Sequence, residues 1–164
     1  MSTIVVTGSA GFIGRRVVLF LESQGHRVIG IDRRSDGVSY NLSRGFPDVG
    51  PFDILIHLAA ARWDKANDLS EALQDTISTT TQCLNAAALN KATFVLASSA
   101  YVYGEPVYTP QSEFHPLNPQ GNYAKAKLLA ERIVQSYAYA SFLPRVAIAR
   151  LFNVYGPNQY RGAV

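Results

Sequence analysis

At 164 residues the chain has the length of a single domain, enough to bury a hydrophobic core. Apolar residues make up 48% and charged residues 16%, the balance of a folded domain, which excludes an intrinsically disordered segment. The net charge of +3 is spread over Arg15-Arg16, Arg33-Arg34, Arg145 and Arg150 without a basic run or interleaved aromatics, so nucleic acid is not an expected partner.

Strand and helix patterns alternate from the first residues onward. Thr3–Thr7 is β-branched and apolar, and it opens the chain with no basic leader or cleavage site, so cytoplasmic residence is expected. Over 12–24 the residues Ile13, Val17, Val18 and Leu21 recur at helical spacing, and Gly25 stops the helix. A second buried strand is predicted over 27–31, a short third one over 38–42, and a fourth over 53–58. The pattern then predicts a helix over 70–89 that breaks near Asn90-Lys91, a strand over 93–97, a long helix over 121–140 and a last strand over 145–150. The apolar runs, such as Ile54–Ile56 and 146–149, are far too short to cross a bilayer, so no membrane partner is expected. Segment 105–120 carries Pro106, Pro110, Pro116 and Pro119 and reads as a long loop, which inside a compact domain is usually functional or mobile. Alternation of this kind predicts parallel strands joined by right-handed crossovers: an α/β, doubly wound sheet forming one domain over 1–164.

The first turn reads Thr7-Gly8-Ser9-Ala10-Gly11-Phe12-Ile13-Gly14, with glycines spaced by three between a strand and a helix. Gly8 permits the tight turn, Gly11 lets backbone approach a pyrophosphate, and Gly14 allows close helix–strand packing. The N–H groups and dipole of the following helix favour the phosphates. Asp32 ends the second strand, where an acid accepts hydrogen bonds from ribose hydroxyls and repels the extra phosphate of NADP. Arg33 and Arg34 beside it can instead hold such a phosphate or stack on adenine. NAD is the favoured reading.

Three further motifs carry hydroxyls, a phenol and an ammonium. Ser98-Ser99-Ala100-Tyr101-Val102-Tyr103-Gly104 follows a strand, so its hydroxyls emerge at the carboxyl end of the sheet, where ligands bind. Tyr123 and Lys127 open the long helix, and their spacing of four puts them on one face. Arg150-Leu151-Phe152-Asn153-Val154-Tyr155-Gly156-Pro157 follows the last strand. Each group has an ordinary alternative: Ser98 and Ser99 as strand-end caps, Tyr123 and Lys127 as a surface pair, Asn153 as a turn residue.

Together with Asp53-Ile54-Leu55-Ile56-His57-Leu58-Ala59-Ala60, these motifs, in this order over nearly the whole chain, resemble the extended short-chain dehydrogenase/reductase family. Within it the match is similar to the NAD-dependent nucleotide-sugar epimerase/dehydratase branch. The resemblance implies a Rossmann domain, NAD as cofactor, a nucleotide-diphosphate sugar as substrate, and a homodimer paired through the helices 70–89 and 121–140. It implies that Gly8, Gly11, Phe12, Ile13 and Gly14 line the cofactor, with Asp32, Arg33, Asn41 and Leu42 at its adenosine end. Leu58, Ala59, Ala60, Ser98 and Phe152 would line its remainder, together with Tyr123 and Lys127. Ser99, Tyr123 and Lys127 are the implied catalytic residues, and Ser99, Ala100, Tyr101 and Asn153 the implied substrate contacts.

The implied chemistry suits these residue types. A phenol with a pKa near 10 is a poor base at neutral pH, and lowering it by ~3 units takes roughly 4 kcal/mol. Lys127 and a cationic nicotinamide would favour the phenolate. By resemblance, Tyr123 is the general base and acid on a sugar hydroxyl, Ser99 binds the same oxygen, and Lys127 also holds the nicotinamide ribose. The sugar carbon gives its hydride to NAD, and an epimerase returns it to the other face of the keto sugar.

Departures from the family pattern narrow the expectation. Dehydratases of this branch carry an Asp-Glu pair directly after the catalytic hydroxyl, where this chain has Ala100 and Tyr101, and decarboxylating relatives carry a Glu at the place of Tyr101. The adenine-contacting Asp-Leu appears as Asn41-Leu42, Asp75-Thr76 stand near the place of a structural Asn, and Gly121 replaces a common Ser. Family members run on for ~100–150 residues, which supply most of the sugar-nucleotide pocket, so a C-terminal substrate domain is expected to be largely absent. Epimerase is the leading expectation, with a keto-sugar or carbonyl reductase and a non-catalytic dinucleotide-binding module as alternatives. Cys83 reads as a small core residue, His57 as a packed strand residue lining the cofactor cleft, and Trp63 as core or a substrate-side contact. His26 and His115 have no metal-ligand spacing, and no metal is expected.

Overall fold

β1 (Thr3–Thr7) is the centre of a sheet whose six strands are all parallel. The computed structural model describes residues 1–34, 37–60 and 69–159; Trp63 and the Gly162, Ala163, Val164 end lie outside them. In chain order β1 is followed by α1 (Phe12–Ser23), β2 (Arg27–Asp32), β3 (Val38–Ser39), β4 (Ile54–His57), α2 (Leu69–Leu89), β5 (Thr93–Ser99), α3 (Gly121–Tyr139) and β6 (Val146–Leu151). Two 3₁₀ turns, Leu42–Arg44 and Ala100–Tyr103, complete the described elements.

The sheet order is β3-β2-β1-β4-β5-β6, so the chain moves one way from β1 and then the other. That reversal, between β1 and β4, opens a crevice at the carboxyl ends of the strands, as doubly wound sheets require. Right-handed crossovers in opposite directions put α1 on one face, against β1 and β2, and α2 with α3 on the other.

Alternation along the strands sorts the side chains. Val5, Ile31, Leu55, Phe94 and Leu96 point to the α2–α3 face and meet Cys83, Leu84, Ala87, Ala130 and Val134 in one buried cluster. Each large side chain fully buried there stabilises the fold by about 1.5–3 kcal/mol. Burial pushes the Cys83 thiol well above its usual range, in keeping with an inert core residue. On the opposite face Ile54, Ile56 and Val95 are half-buried and Ala147 is exposed.

The predicted elements are present with small shifts, and two differ in kind. The strand expected over 38–42 shrinks to Val38–Ser39, because the Asn41 side chain accepts the Ser43 N–H at 3.2 Å and turns the backbone into a 3₁₀ helix. β5 runs two residues further than expected, to Ser99, since Ser98 and Ser99 still pair with Arg150 and Leu151. No described helix is long and apolar enough to cross a membrane.

Candidate functional site

The glycine loop is held by backbone approaches that a side chain would prevent. Gly8 has φ +71°, and a Cβ there would lie 2.8 Å from the Ala59 nitrogen; one on Gly14 would lie 2.1 Å from the Gly8 carbonyl oxygen. The loop is therefore bare backbone facing the crevice. Gly11 caps α1 with extended backbone and no side-chain hydrogen bond, which leaves first-turn N–H groups for an anion. This cradle fits a pyrophosphate. One cleft of about 550 Å³ is lined by Gly8, Gly11, Phe12, Ile13 and Gly14, by Leu58 and Ala60 after β4, and by Phe152 and Asn153 after β6. Ser98, Ser99, Ala100, Tyr101, Tyr123 and Lys127 line the same cleft.

At its far end the hydroxyls and amine converge. Ser99 ends β5 and caps the 3₁₀ turn, its Oγ accepting the Tyr101 N–H at 3.3 Å. The Tyr123 phenol is half-buried and lines the cleft with Ser99. Burial raises its pKa above the usual phenol value; the Ser99 hydroxyl works against that, and Tyr101 adds to it. Lys127 Nζ donates to the Ala97 carbonyl at 2.8 Å and lies 5.9 Å from the centroid of the Tyr123 ring. Burial lowers this ammonium to about 8, against the opposing pull of the Glu131 carboxylate. In the chain alone desolvation is the largest influence on the phenol, so the depression expected from Lys127 does not prevail.

Beneath the loop, His57 is buried and does not reach the cleft surface that its strand position suggested. Its Nδ1 lies 2.7 Å from Thr7 Oγ1, which also accepts the Ala59 N–H, and its Nε2 lies 3.4 Å from Thr80 Oγ1. Both ring nitrogens thus face threonine hydroxyls, each of which can donate or accept. Burial first, and the Lys127 charge second, lower His57 to about 3, so the ring is neutral at physiological pH.

The adenosine end of the prediction is only partly assembled. Asp32 accepts the Ala10 N–H at 3.2 Å and the Arg34 N–H at 3.0 Å, which places its carboxylate beside the glycine loop. Arg33 reaches toward Asp75, at 3.8 Å, instead of lying free beside Asp32. Leu42 is buried in the core, not in the cleft, and the Asn41 oxygen is engaged by Ser43. Ala59 packs against the core between the lining residues Leu58 and Ala60. Ser98 lines the cleft, and its hydroxyl donates to the buried Glu131.

Sequence reasoning missed several members. Gln111 lines the cleft from the Pro-rich loop, whose length was the available signal. Glu131 stands four residues after Lys127, on the same helical face, and that spacing is its only local signal. His57 was placed correctly on β4 but at the wrong depth. No cluster of three metal-ligating side chains occurs among the described residues.

Residues 4–164 match the model of the NAD dependent epimerase/dehydratase family. The chain is 32% identical to UDP-glucuronic acid decarboxylase 1 of Arabidopsis thaliana over 94% of its own length and 40% of that protein's. Among solved structures it superposes on a UDP-galactose 4-epimerase with a TM-score of 0.88, at 30% identity, covering 98% of this chain and 59% of the other. A short-chain dehydrogenase/reductase superfamily protein from Agrobacterium tumefaciens, solved with bound NAD, gives a TM-score of 0.79 at 32% identity, covering 90% of this chain and 48% of the other. The chain therefore spans between two fifths and three fifths of the length of these relatives.

Proposed function

The chain belongs to the NAD dependent epimerase/dehydratase family, and from that premise we propose that it is the NAD-binding domain, over 1–164, of an epimerase of nucleotide-diphosphate sugars. The observation that carries this reading is convergence: Ser99, Tyr123 and Lys127, from β5 and α3, line the same cleft as the glycine cradle. Non-catalytic dinucleotide binding would need the cradle alone.

In this reading Gly8, Gly11 and the first turn of α1 take the pyrophosphate, and Asp32 takes the adenosine ribose. Phe12, Ile13, Leu58, Ala60 and Phe152 flank the cofactor. Bound NAD supplies the hydride acceptor and donor. Tyr123 Oη, beside Ser99 Oγ, takes the proton of a sugar hydroxyl and later returns it. Lys127 contributes positive charge at this end, which favours the phenolate that burial alone disfavours. Asn153 and Tyr101 face the sugar. Ala100 and Tyr101 offer no carboxylate, so neither water loss nor decarboxylation has a second acid or base there, which leaves epimerisation, the reading favoured here, and reduction of a keto sugar. A cytoplasmic homodimer joined through α2 and α3 completes the proposal.

The test is incubation of a form extended to the length of the relatives with UDP-galactose or UDP-glucose and NAD, following sugar interconversion by NMR and reduced cofactor by absorbance. Interconversion without accumulating reduced cofactor supports the epimerase. Stoichiometric consumption of reduced cofactor on a keto sugar would replace it with a reductase. Absence of NAD binding by calorimetry would sink both.

A further inference from the structure

Beneath Ser99 and Lys127 lies a charged cluster that the proposed chemistry leaves unused. Glu131 of α3 is fully buried and receives Arg150 of β6 through two nitrogens, Nη2 to Oε2 at 2.8 Å and Nε to Oε1 at 3.0 Å. Its Oε1 also accepts the Ser98 hydroxyl of β5. Arg150 Nη1 continues to the Tyr103 hydroxyl at 3.0 Å and to the Glu113 carbonyl at 3.2 Å. Its guanidinium carbon lies 4.9 Å from the centroid of the Tyr103 ring. One ion pair thereby joins β5, β6, α3, the 3₁₀ turn and the 105–120 loop.

Stability is a poor reason for such a pair. Removing both ions from water costs several kcal/mol each, and apolar residues of similar volume often do as well or better. What apolar residues do not supply is direction, whereas a guanidinium–carboxylate fork fixes both angle and separation. Every partner adjoins the candidate site. Ser98 precedes Ser99, Glu131 is one helical turn beyond Lys127, and Tyr103 ends the turn that Ser99 caps. The carboxylate also opposes the fall in Lys127 basicity that burial causes.

Resting on the reading of this cleft as a cofactor and sugar site, we propose that Glu131 and Arg150 are positioning residues whose ion pair sets the separation of Ser99, Tyr123 and Lys127. Among the described residues, the other titratable groups bearing on Lys127 are Tyr123 on its own helix and neutral His57 from β4. Neither supplies the negative charge that Glu131 does at neutral pH.

Two variants separate charge from geometry. Glu131→Gln keeps the shape and can still accept the Ser98 hydroxyl, but removes the charge. Arg150→Lys keeps a cation but loses the fork, and it remains informative should Glu131→Gln fail to fold. The readouts are the NMR titration midpoint of the Lys127 side chain and the calorimetric Kd for NAD. Glu131→Gln should lower the midpoint and weaken NAD by about tenfold, which is about 1.4 kcal/mol, with a larger loss above the wild-type midpoint. Arg150→Lys should weaken NAD while leaving the midpoint near its wild-type value. Reduced thermal stability with midpoint and Kd both unchanged would make the pair merely structural and overturn the proposal. A wild-type chain that does not bind NAD would defeat the cofactor reading instead, and the midpoint alone would then decide whether Glu131 governs Lys127.

Discussion

The floor of the cleft and its adenosine rim are built on opposite principles. On the floor, Thr7, His57, Ser98, Lys127 and Glu131 are buried, and each is bonded to a different element of the fold. On the rim, Asp32 is held by the N–H groups of Ala10 and Arg34, and Arg33 is 63% exposed with its acid 3.8 Å away. Burial on the floor makes the protonation of each group depend on its neighbours, which is why His57 and Lys127 titrate so far from their ordinary values. Water screens the rim, where an exposed pair is worth about 0–1 kcal/mol. In the proposed function the floor would decide the reaction and the rim would tell one cofactor from another.

The largest expected effect tests that division at its centre. In a form extended to the length of the relatives, Tyr123→Phe should lower the rate of sugar interconversion by about 10²–10⁴-fold, the usual worth of positioned proton transfer, while leaving the Kd for NAD nearly unchanged. Lys127→Met should damage both quantities, since that ammonium serves the phenol and the cofactor. A Tyr123→Phe enzyme with wild-type rates would move the base elsewhere and erase the distinction between floor and rim.

His57 offers a smaller test, made by pH. Its folded pKa of about 3 lies below the 6.5 of an unfolded histidine. Between these values the unfolded chain binds the extra proton, so stability present at neutral pH is lost as pH falls through that window. At about 1.4 kcal/mol per pH unit, lowering pH from 7 to 4.5 should cost about 2–3 kcal/mol from this group. Urea unfolding at the two pH values measures it, and His57→Asn should remove that part of the loss. An identical loss in the variant would assign the acid sensitivity to other groups.

What was legible in the sequence follows the same line between floor and rim. Glycine spacing, the strand ends carrying Ser99, and the four-residue step from Tyr123 to Lys127 are local patterns, and the fold places all of them around one cleft. The doubly wound, parallel class of the sheet followed from strand–helix alternation without any contact being known, whereas the strand order was read only from the fold. Depth was not legible. Whether His57 lies at the cleft or under it depends on Thr7 and Thr80, 50 and 23 residues away in sequence. Glu131 and Arg150 likewise gain meaning only when α3 lies across β5 and β6. At 38–42 the pattern failed for a local reason, because one asparagine oxygen outcompeted a strand ladder.

The smallest expected effect lies on the rim and concerns which cofactor is preferred. Asp32 places a carboxylate where the adenosine ribose is expected, so it should accept ribose hydroxyls and repel a 2′-phosphate. Arg33 would attract that phosphate, yet its contact with Asp75 is long and solvent-exposed, and so too weak to hold it firmly in either direction. The carboxylate should prevail, giving wild-type chain about tenfold tighter binding of NAD than of NADP, equivalent to about 1.4 kcal/mol. Asp32→Asn keeps an oxygen for one backbone N–H but loses the charge, so it should narrow the ratio by weakening NAD and strengthening NADP. Thermal stability should hardly change, because neither tie from Asp32 reaches the buried core. Raising the salt concentration should improve NADP binding by the wild type only if exposed carboxylate repulsion dominates, and should weaken it if Arg33 or Arg34 provides the grip. Calorimetry with both cofactors at two salt concentrations reads all of this directly, and equal or reversed wild-type affinities would transfer control of the rim from Asp32 to the arginines.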